Sequence, residues 1–497
     1  MKEESKGLRI KTVLVPTTRS SLRQRSSRRS LTLKSASSHQ IPGVVLQDGN
    51  CTITLRGSPN DTDLEIQLIQ DLPSLEALQE LTIEDCEGLT DLKWGSEIFC
   101  NQITALQELH ITQCEVRVLQ NFGHITSIRT LSIDEYCVEH GSESPSTSLE
   151  KFTNLHQLNW SQSDMYDSAI QHYHGLPECI ERMVELHTLN LSTIGFSVLP
   201  SWIGNLTMLR ILNLCTLTDL TKLPDSICSL SGLHVLTIYN CGSLGSLPTS
   251  IGSLASLATM TLHGLGQLTK LPSSMQYLTG LTELKITHCS TAIFEGMNPW
   301  ANFNSFYRFK QVPDMGLLQS LQKMTLHNLP FAMAMPESLS SLSGLNVLSL
   351  YNIGLTELQQ VGTLMSLQVL HIRYCALQRL PESVGGLTRL KELHIEHCNL
   401  DDLPASIQFL TSISKLVLVV PRDIQNCQVF KTLASALPAF RLLQCMRVQC
   451  VPRSTTVVLQ QKAWVCIVSS LIQNSQQLFL LFLDVLLFIC ISFLLPS

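Results

Sequence analysis

Leu233-His234-Val235-Leu236-Thr237-Ile238-Tyr239-Asn240-Cys241, followed by Leu247-Pro248-Thr249-Ser250-Ile251, is the stretch that decides how this chain folds. Apolar and polar residues alternate from Val235 to Tyr239, the period of a half-buried strand. Leu236 and Ile238 should therefore point inward, and Val235, Thr237 and Tyr239 outward. The same apolar-x-x-apolar-x-apolar unit begins at Leu186, Leu209, Leu233, Leu257 and Leu281, in steps of 23, 24, 24 and 24. It resumes at Leu321, Leu345, Leu367, Leu390 and Ile413, in steps of 24, 22, 23 and 23. The step from Leu281 to Leu321 is 40, which places an insertion near residues 294–315. Looser copies begin at Leu78, Leu106, Ile128 and Leu155, giving fourteen units. After Leu418 the phase is lost.

A second landmark keeps the same phase: Leu199-Pro200, Leu223-Pro224, Leu247-Pro248, Leu271-Pro272, Met335-Pro336, Leu380-Pro381 and Leu403-Pro404. Proline fixes φ and removes an amide donor, which suits a turn leaving the strand. The stretch after it, such as Asp225-Ser226-Ile227-Cys228-Ser229-Leu230, carries the chain back with Ile227 and Leu230 as convex-side core. One such coil cannot bury its apolar side alone, so coils stack and share a continuous core. The expected fold is α/β: a leucine-rich-repeat solenoid, or horseshoe, with a concave parallel sheet and about fourteen repeats of 22–24 residues plus the insertion.

Composition agrees. Hydrophobic residues make up 44% of the 497 residues and charged ones 15%, as expected where every coil supplies several core leucines. The net charge of -6 is unevenly spread. Residues 1–34 hold ten Lys or Arg against two Glu, residues 424–483 hold five basic and no acidic residues, and the stretch between carries 19 basic against 37 acidic residues. An acidic solenoid is a poor nucleic-acid binder, because that affinity comes from Lys and Arg neutralising phosphates.

Of the seventeen cysteines, Cys86, Cys114, Cys241, Cys289, Cys375 and Cys398 each fall eight residues after the first apolar position of their unit. Other units put Ile194, Leu217, Leu265, Leu329 or Ile353 there. The slot is thus a small buried apolar site that free cysteine fills, not a disulfide or metal position. The first twenty residues have no apolar run of signal-peptide length, which places the repeats in the reducing cytosol. The N-x-S/T sequons at Asn60, Asn159, Asn190 and Asn205 then carry no weight; Asn190 would lie on a strand between core leucines.

Four regions are expected: residues 1–40, a disordered Ser/Arg-rich basic arm; 41–77, an N-terminal cap; 78–440, the solenoid; and 441–497, a non-repeat tail with the apolar segment 478–495. That segment has Asp484 as its only charge. Eighteen helical residues span about 27 Å, just enough for a hydrocarbon core of about 30 Å. The tail is therefore read as a membrane anchor with the repeats facing the cytosol, in keeping with its basic flank. Against this stand a buried terminal helix and a spuriously translated exon.

Segments such as Leu199-Pro200-Ser201-Trp202-Ile203-Gly204-Asn205-Leu206 and Leu380-Pro381-Glu382-Ser383-Val384-Gly385-Gly386-Leu387, each followed by a repeat strand, resemble the repeats of plant nucleotide-binding leucine-rich-repeat disease-resistance proteins. The resemblance covers residues 78 to about 420. The plant intracellular Ras-group repeat proteins share the unit but tend to hold Asn in the slot where Cys prevails here. The resemblance implies recognition of a protein partner: a pathogen effector, a guarded host protein or a separate nucleotide-binding switch protein. The alternative is a general signalling scaffold of the Ras-group type. The chain departs from the resistance proteins in lacking a G-x-x-x-x-G-K-[ST] phosphate loop, so no nucleotide or other cofactor is expected. No H-E-x-x-H, G-x-S-x-G or kinase motif occurs, and no enzyme is expected.

Binding is expected on the concave strands, whose outward side chains the core does not need. Polar and aromatic residues concentrate in the later coils, in the second or third outward column: Tyr239, His263, Lys285, His327, Tyr351, His371, Arg373, His394 and Glu396. Taken singly each is an ordinary solvated position; as a cluster they make an interface, since Tyr and Arg are frequent anchors. His371 and His394 share a column in adjacent coils, roughly 5 Å apart by strand spacing. A zinc site needs two more ligands, and Glu396 is expected to pair with Arg373, so no metal is expected.

Overall fold

Along Val235–Tyr239, Leu236 and Ile238 are completely buried, Val235 and Thr237 are half-buried, and Tyr239 is exposed. The alternation in the sequence is thus the alternation in space. Leu236 sits between Leu212 and Met260 of the neighbouring strands, in parallel register. The computed structural model describes residues 30–34, 51–56, 78–84, 103–112, 119, 122–134, 149–162, 175–288 apart from 269, 314–329, 335–420 apart from 399, 428–450 and 455–460.

Fifteen strands, Leu78–Glu84 through Cys445–Cys450, pair in sequence order as one open parallel sheet, which is the expected leucine-rich-repeat solenoid. Glu283–Thr287 pairs directly with Lys323–Leu329 despite the 40-residue step. The sheet runs past residue 440: the helix Gln428–Ala436 leads to Cys445–Cys450, which pairs in parallel with Lys415–Val420. Leu433, Phe440 and Met446 of this coil are buried, so the repeat does not stop at Leu418 but continues with a longer period. An antiparallel strand, Thr455–Gln460, follows. At the other end Ser30–Lys34, inside the stretch read as an arm, pairs in parallel with Cys51–Arg56, and that strand with Leu78–Glu84. The segment 478–495 lies outside the described residues. Among the described residues no helix is long and apolar enough to cross a membrane.

Each Leu-Pro landmark leads into a short 3₁₀ turn. Pro200, Pro224, Pro272, Pro336, Pro381 and Pro404 hold extended ψ values of 139° to 153° just before it. The carbonyl of Pro224 then accepts from the Ile227 amide at 3.1 Å. Ile203, Ile227, Ile251, Val384 and Ile407 from these turns, with Val361 from a turn that lacks the proline, form the buried convex side. The turns of successive coils press closely together. A Cβ on Gly204 would come 2.5 Å from the Ser226 carbonyl oxygen of the next coil and 2.9 Å from its Cβ. That obstacle is backbone, so Gly204→Ala is expected to cost about 1–3 kcal/mol, the usual penalty of overpacking. A thermal melt checks this, and an unchanged midpoint would show that the coils can separate locally.

From Thr193 to His397 a residue at or just past the strand end is held in the left-handed region: Thr193, Thr216, Asn240, His288, Asn328, Asn352, Tyr374 and His397 have φ between 48° and 63°, and Gly264 has 67°. This turn aims the amide at the next strand. The amides of Thr216, Asn240 and Tyr374 donate to the carbonyls of Tyr239, His263 and Glu396 at 2.6, 2.7 and 2.9 Å. Asn tolerates the conformation; Thr, being β-branched, is strained there. The following slot is buried at Cys241, Cys375 and Cys398, as at Leu217 and Leu265. Each of those three thiols lies 3.7 or 3.8 Å from a strand carbonyl, of Leu214, Leu350 or Ile372. Cys86, Cys114 and Cys289 lie outside the described residues.

Candidate recognition surface

The concave face divides into two halves of different chemistry. In the earlier coils the second outward column is a ladder of amides: Asn213 donates to Asn190 at 2.7 Å, Asn190 to Asn159 at 2.5 Å, and Asn159 to the Ser132 hydroxyl at 2.8 Å. An amide carries both donors and an acceptor, so a column of them satisfies itself. Asn159 and Asn190 of the sequons are thereby occupied within the sheet.

From Tyr239 onward the face changes to rings. Tyr239 stacks on His263 at 4.2 Å between centroids, His263 lies 5.0 Å from His288, His288 4.4 Å from His327, and His327 5.5 Å from Tyr351. The Tyr351 hydroxyl lies 3.3 Å from His371 Nδ1, and His371 stacks on His394 at 4.2 Å. Arg373 sits over the Tyr351 ring at 5.7 Å and pairs with Glu396 at 2.7 Å, the pairing expected from the sequence. The structure thus joins eight of the nine expected residues in one ladder. Lys285 is exposed in the second column, and among the described residues it makes no ion pair.

Three further rings were not singled out from the sequence, His288 within the ladder and a separate stacked pair. His288 and the stacked pair Tyr374–His397, 4.6 Å apart, occupy the left-handed turn position, where an alternating-strand reading does not look for outward side chains. A ring at that position in several coils was the available signal. Glu392 and Lys415, paired at 3.4 Å, stand opposite each other in the first outward column.

The histidines are held neutral. Burial, then His288, Lys285 and His327, pushes His263 down to about 4; burial, then His288 and Lys285, does the same to His327. His394 is brought to about 4 by burial, then by His371, Lys415 and Arg373. His371 and His288 are also lowered, first by burial. A half-buried row of uncharged rings with unused ring nitrogens resembles the aromatic-rich core of a protein interface more than a solvated charged face.

A stack of parallel coils with an open strand face is the architecture of a protein-interaction scaffold. The leucine-rich repeat region family matches residues 171–351 and 308–482, together more than half of the chain. The chain belongs to that family. Repeats of this fold are typically non-enzymatic protein-interaction scaffolds. No curated protein matches the sequence. Among solved structures, a leucine-rich-repeat protein of Leptospira interrogans is similar with 22% identity and a TM-score of 0.49, covering 71% of this chain and 87% of its own. An internalin of Listeria monocytogenes gives 15% and 0.45, covering 66% and 82%. The plant peptide hormone receptor RGFR1 in complex with RGF2 gives 17% and 0.46, covering 82% and 62%.

Proposed function

We propose that this chain is a protein-recognition module of plant innate immunity that binds a protein partner through the ring ladder from Tyr239 to Glu396. The observation that carries the reading is the ladder itself. Rings contribute large contact areas at low entropic cost, and Tyr and Arg are the residues most often found at hot spots. The self-satisfied asparagine column beside it offers a partner far less. The immune assignment rests on the resemblance of the L-P-x-x-I-G units and cysteine slots to those of resistance proteins. The partner is then a pathogen effector, a guarded host protein or a separate nucleotide-binding switch protein.

A cytosolic setting fits Cys179, Cys215, Cys228, Cys241, Cys375, Cys398 and Cys445, which are free. The apolar run 478–495 is the segment that would tether the solenoid to a membrane.

The test compares the full chain with the Tyr351→Ala/His371→Ala double variant, each immobilised and exposed to leaf extract from infected and healthy plants. Both side chains face outward, so the double variant should stay within about 1 kcal/mol of the parent's stability. A specific protein retained by the parent and reduced at least tenfold on the variant supports the ladder as the interface. Identical retention on both, with folding intact, removes it. Retention only from infected tissue, or of a nucleotide-binding protein, supports the immune assignment.

A further inference from the structure

Among the described residues two groups of three side chains have metal-ligating atoms close together, and one of them lies at the end of the ladder. His371 and His394 stand side by side in adjacent strands, and Glu392 precedes His394 by two residues on the same face. The Glu392 carboxylate oxygen Oε2 is 3.5 Å from His394 Nε2 and 4.0 Å from His371 Nε2. All three ligand atoms lie within 4.8 Å of one another.

His394 makes this more than a chance grouping. It is 5% exposed, and neither of its ring nitrogens has a hydrogen-bond partner; nor has His371 Nε2. A buried polar group without a partner is costly and calls for an explanation. Two imidazoles and a carboxylate with their ligand atoms this close together are the donor set of a borderline transition-metal ion, not of calcium or magnesium. The reading of the sequence weighed only His371 and His394 as ligands. Glu392 was overlooked because it lies one column away from the histidines.

We propose that His371, His394 and Glu392 bind a first-row divalent transition-metal ion of the zinc class, with water as the fourth ligand. This is independent of the partner assigned above. Tetrahedral zinc with bonds of about 2.0–2.2 Å holds its donors roughly 3.4 Å apart. The ligand atoms, within 4.8 Å of one another, therefore have to close by up to about 1.4 Å, within the reach of side-chain rotation. His371 Nδ1 lies against the Tyr351 hydroxyl; donating its proton there leaves the Nε2 lone pair for the metal and fixes the ring, as outer-shell partners do. Lys415 Nζ, 3.4 Å from Glu392 Oε2, is the local cation in the absence of metal. It is 43% exposed and free to swing outward as the ion enters.

Cobalt(II) is the probe, because its visible bands report nitrogen and oxygen donors while a near-ultraviolet charge-transfer band reports thiolate. The metal-free full chain should bind cobalt with visible bands and no sulfur band, and zinc should displace it. Glu392→Gln and His371→Gln, both at partly exposed positions, should each weaken binding at least tenfold, as should His394→Ala. Lys415→Gln should tighten it severalfold by removing the competing cation. The second group, Glu80, Glu108 and His110, has only one imidazole, and His110→Ala should leave the bands unchanged. Unaltered cobalt affinity in Glu392→Gln and His371→Gln, a dominant sulfur band, or loss of the bands in His110→Ala would overturn the site. Circular dichroism on each variant ensures that a lost signal is not lost fold.

Discussion

Leu236→Asp is expected to remove the cooperative thermal transition of the coils around it, leaving a chain that limited proteolysis cuts between the 3₁₀ turns Asp225–Ser229 and Ile251–Ser253. Leu236 is completely buried, with Leu212 and Met260 opposite it and Leu233 and Ile238 in the same core. An unpaired carboxylate there costs several kcal/mol in desolvation. The lost leucine packing adds roughly 2–5 kcal/mol by analogy with truncation to alanine. Together these rival the whole stability of an ordinary domain, about 5–15 kcal/mol. A coil touches only its neighbours, so its loss also deprives the flanking coils of one interface each. Thr237→Asp is the control: it places the same charge one residue away on the outward face and should leave the melt nearly unchanged. A Leu236→Asp protein melting with the Thr237→Asp protein would mean that the inward register is wrong.

The contrast between these neighbouring positions shows why so much of the fold is legible in the sequence. A strand side chain can only point in or out, and a parallel stack repeats that choice in each coil. The identity of Leu236 therefore predicts that of Leu212, Met260 and Leu284. What escapes this reading is whatever breaks the period. The coil ending in Cys445–Cys450 is reached through the helix Gln428–Ala436, and its longer step hid it. His288, Tyr374 and His397 were missed because the left-handed turn, and not the strand, sets their direction. The surface is legible to a lesser degree than the core. Outward columns could be read residue by residue, and eight of the nine residues so chosen meet in space. That Glu392 reaches diagonally toward both His371 and His394 depends on side-chain rotamers, which no period encodes.

The row of neutral histidines leads to the second large effect: the solenoid should be destabilised by mild acid. His263, His327 and His394 are each held down to about 4 in the folded chain, first by burial, against about 6.5 when unfolded. The unfolded chain therefore binds more protons between those values, and stability rises with pH across that window. Stability is fully present above pH 6.5 and is lost progressively as the pH falls toward 4. For His394, which is 5% exposed, linkage gives a loss of roughly 2 kcal/mol at pH 5. His263 and His327 are more solvated, and each should contribute less.

The surroundings support the sign. His394 faces His371 and Arg373 on one side and Lys415 on the other, with Glu392 and Glu396 on its own strand. His263 faces Tyr239, Lys285, His288 and Thr287, and His327 faces His288, Tyr351 and Lys285. Only the glutamates beside His394 oppose the shift. The lowered carboxylates, Asp314 and Glu382, add their own loss only as the pH falls below the ordinary carboxylate range, outside the histidine window. Urea unfolding at pH 7.5 and 5.0, with a chelator present so that no metal holds His371 and His394, should show the midpoint falling with acid. His394→Gln should flatten that fall by removing the largest contributor, at some cost in stability at pH 7.5. If the parent's midpoint is the same at both pH values, the rings of this face are not held neutral by burial, and the description of the surface as an uncharged ladder is wrong.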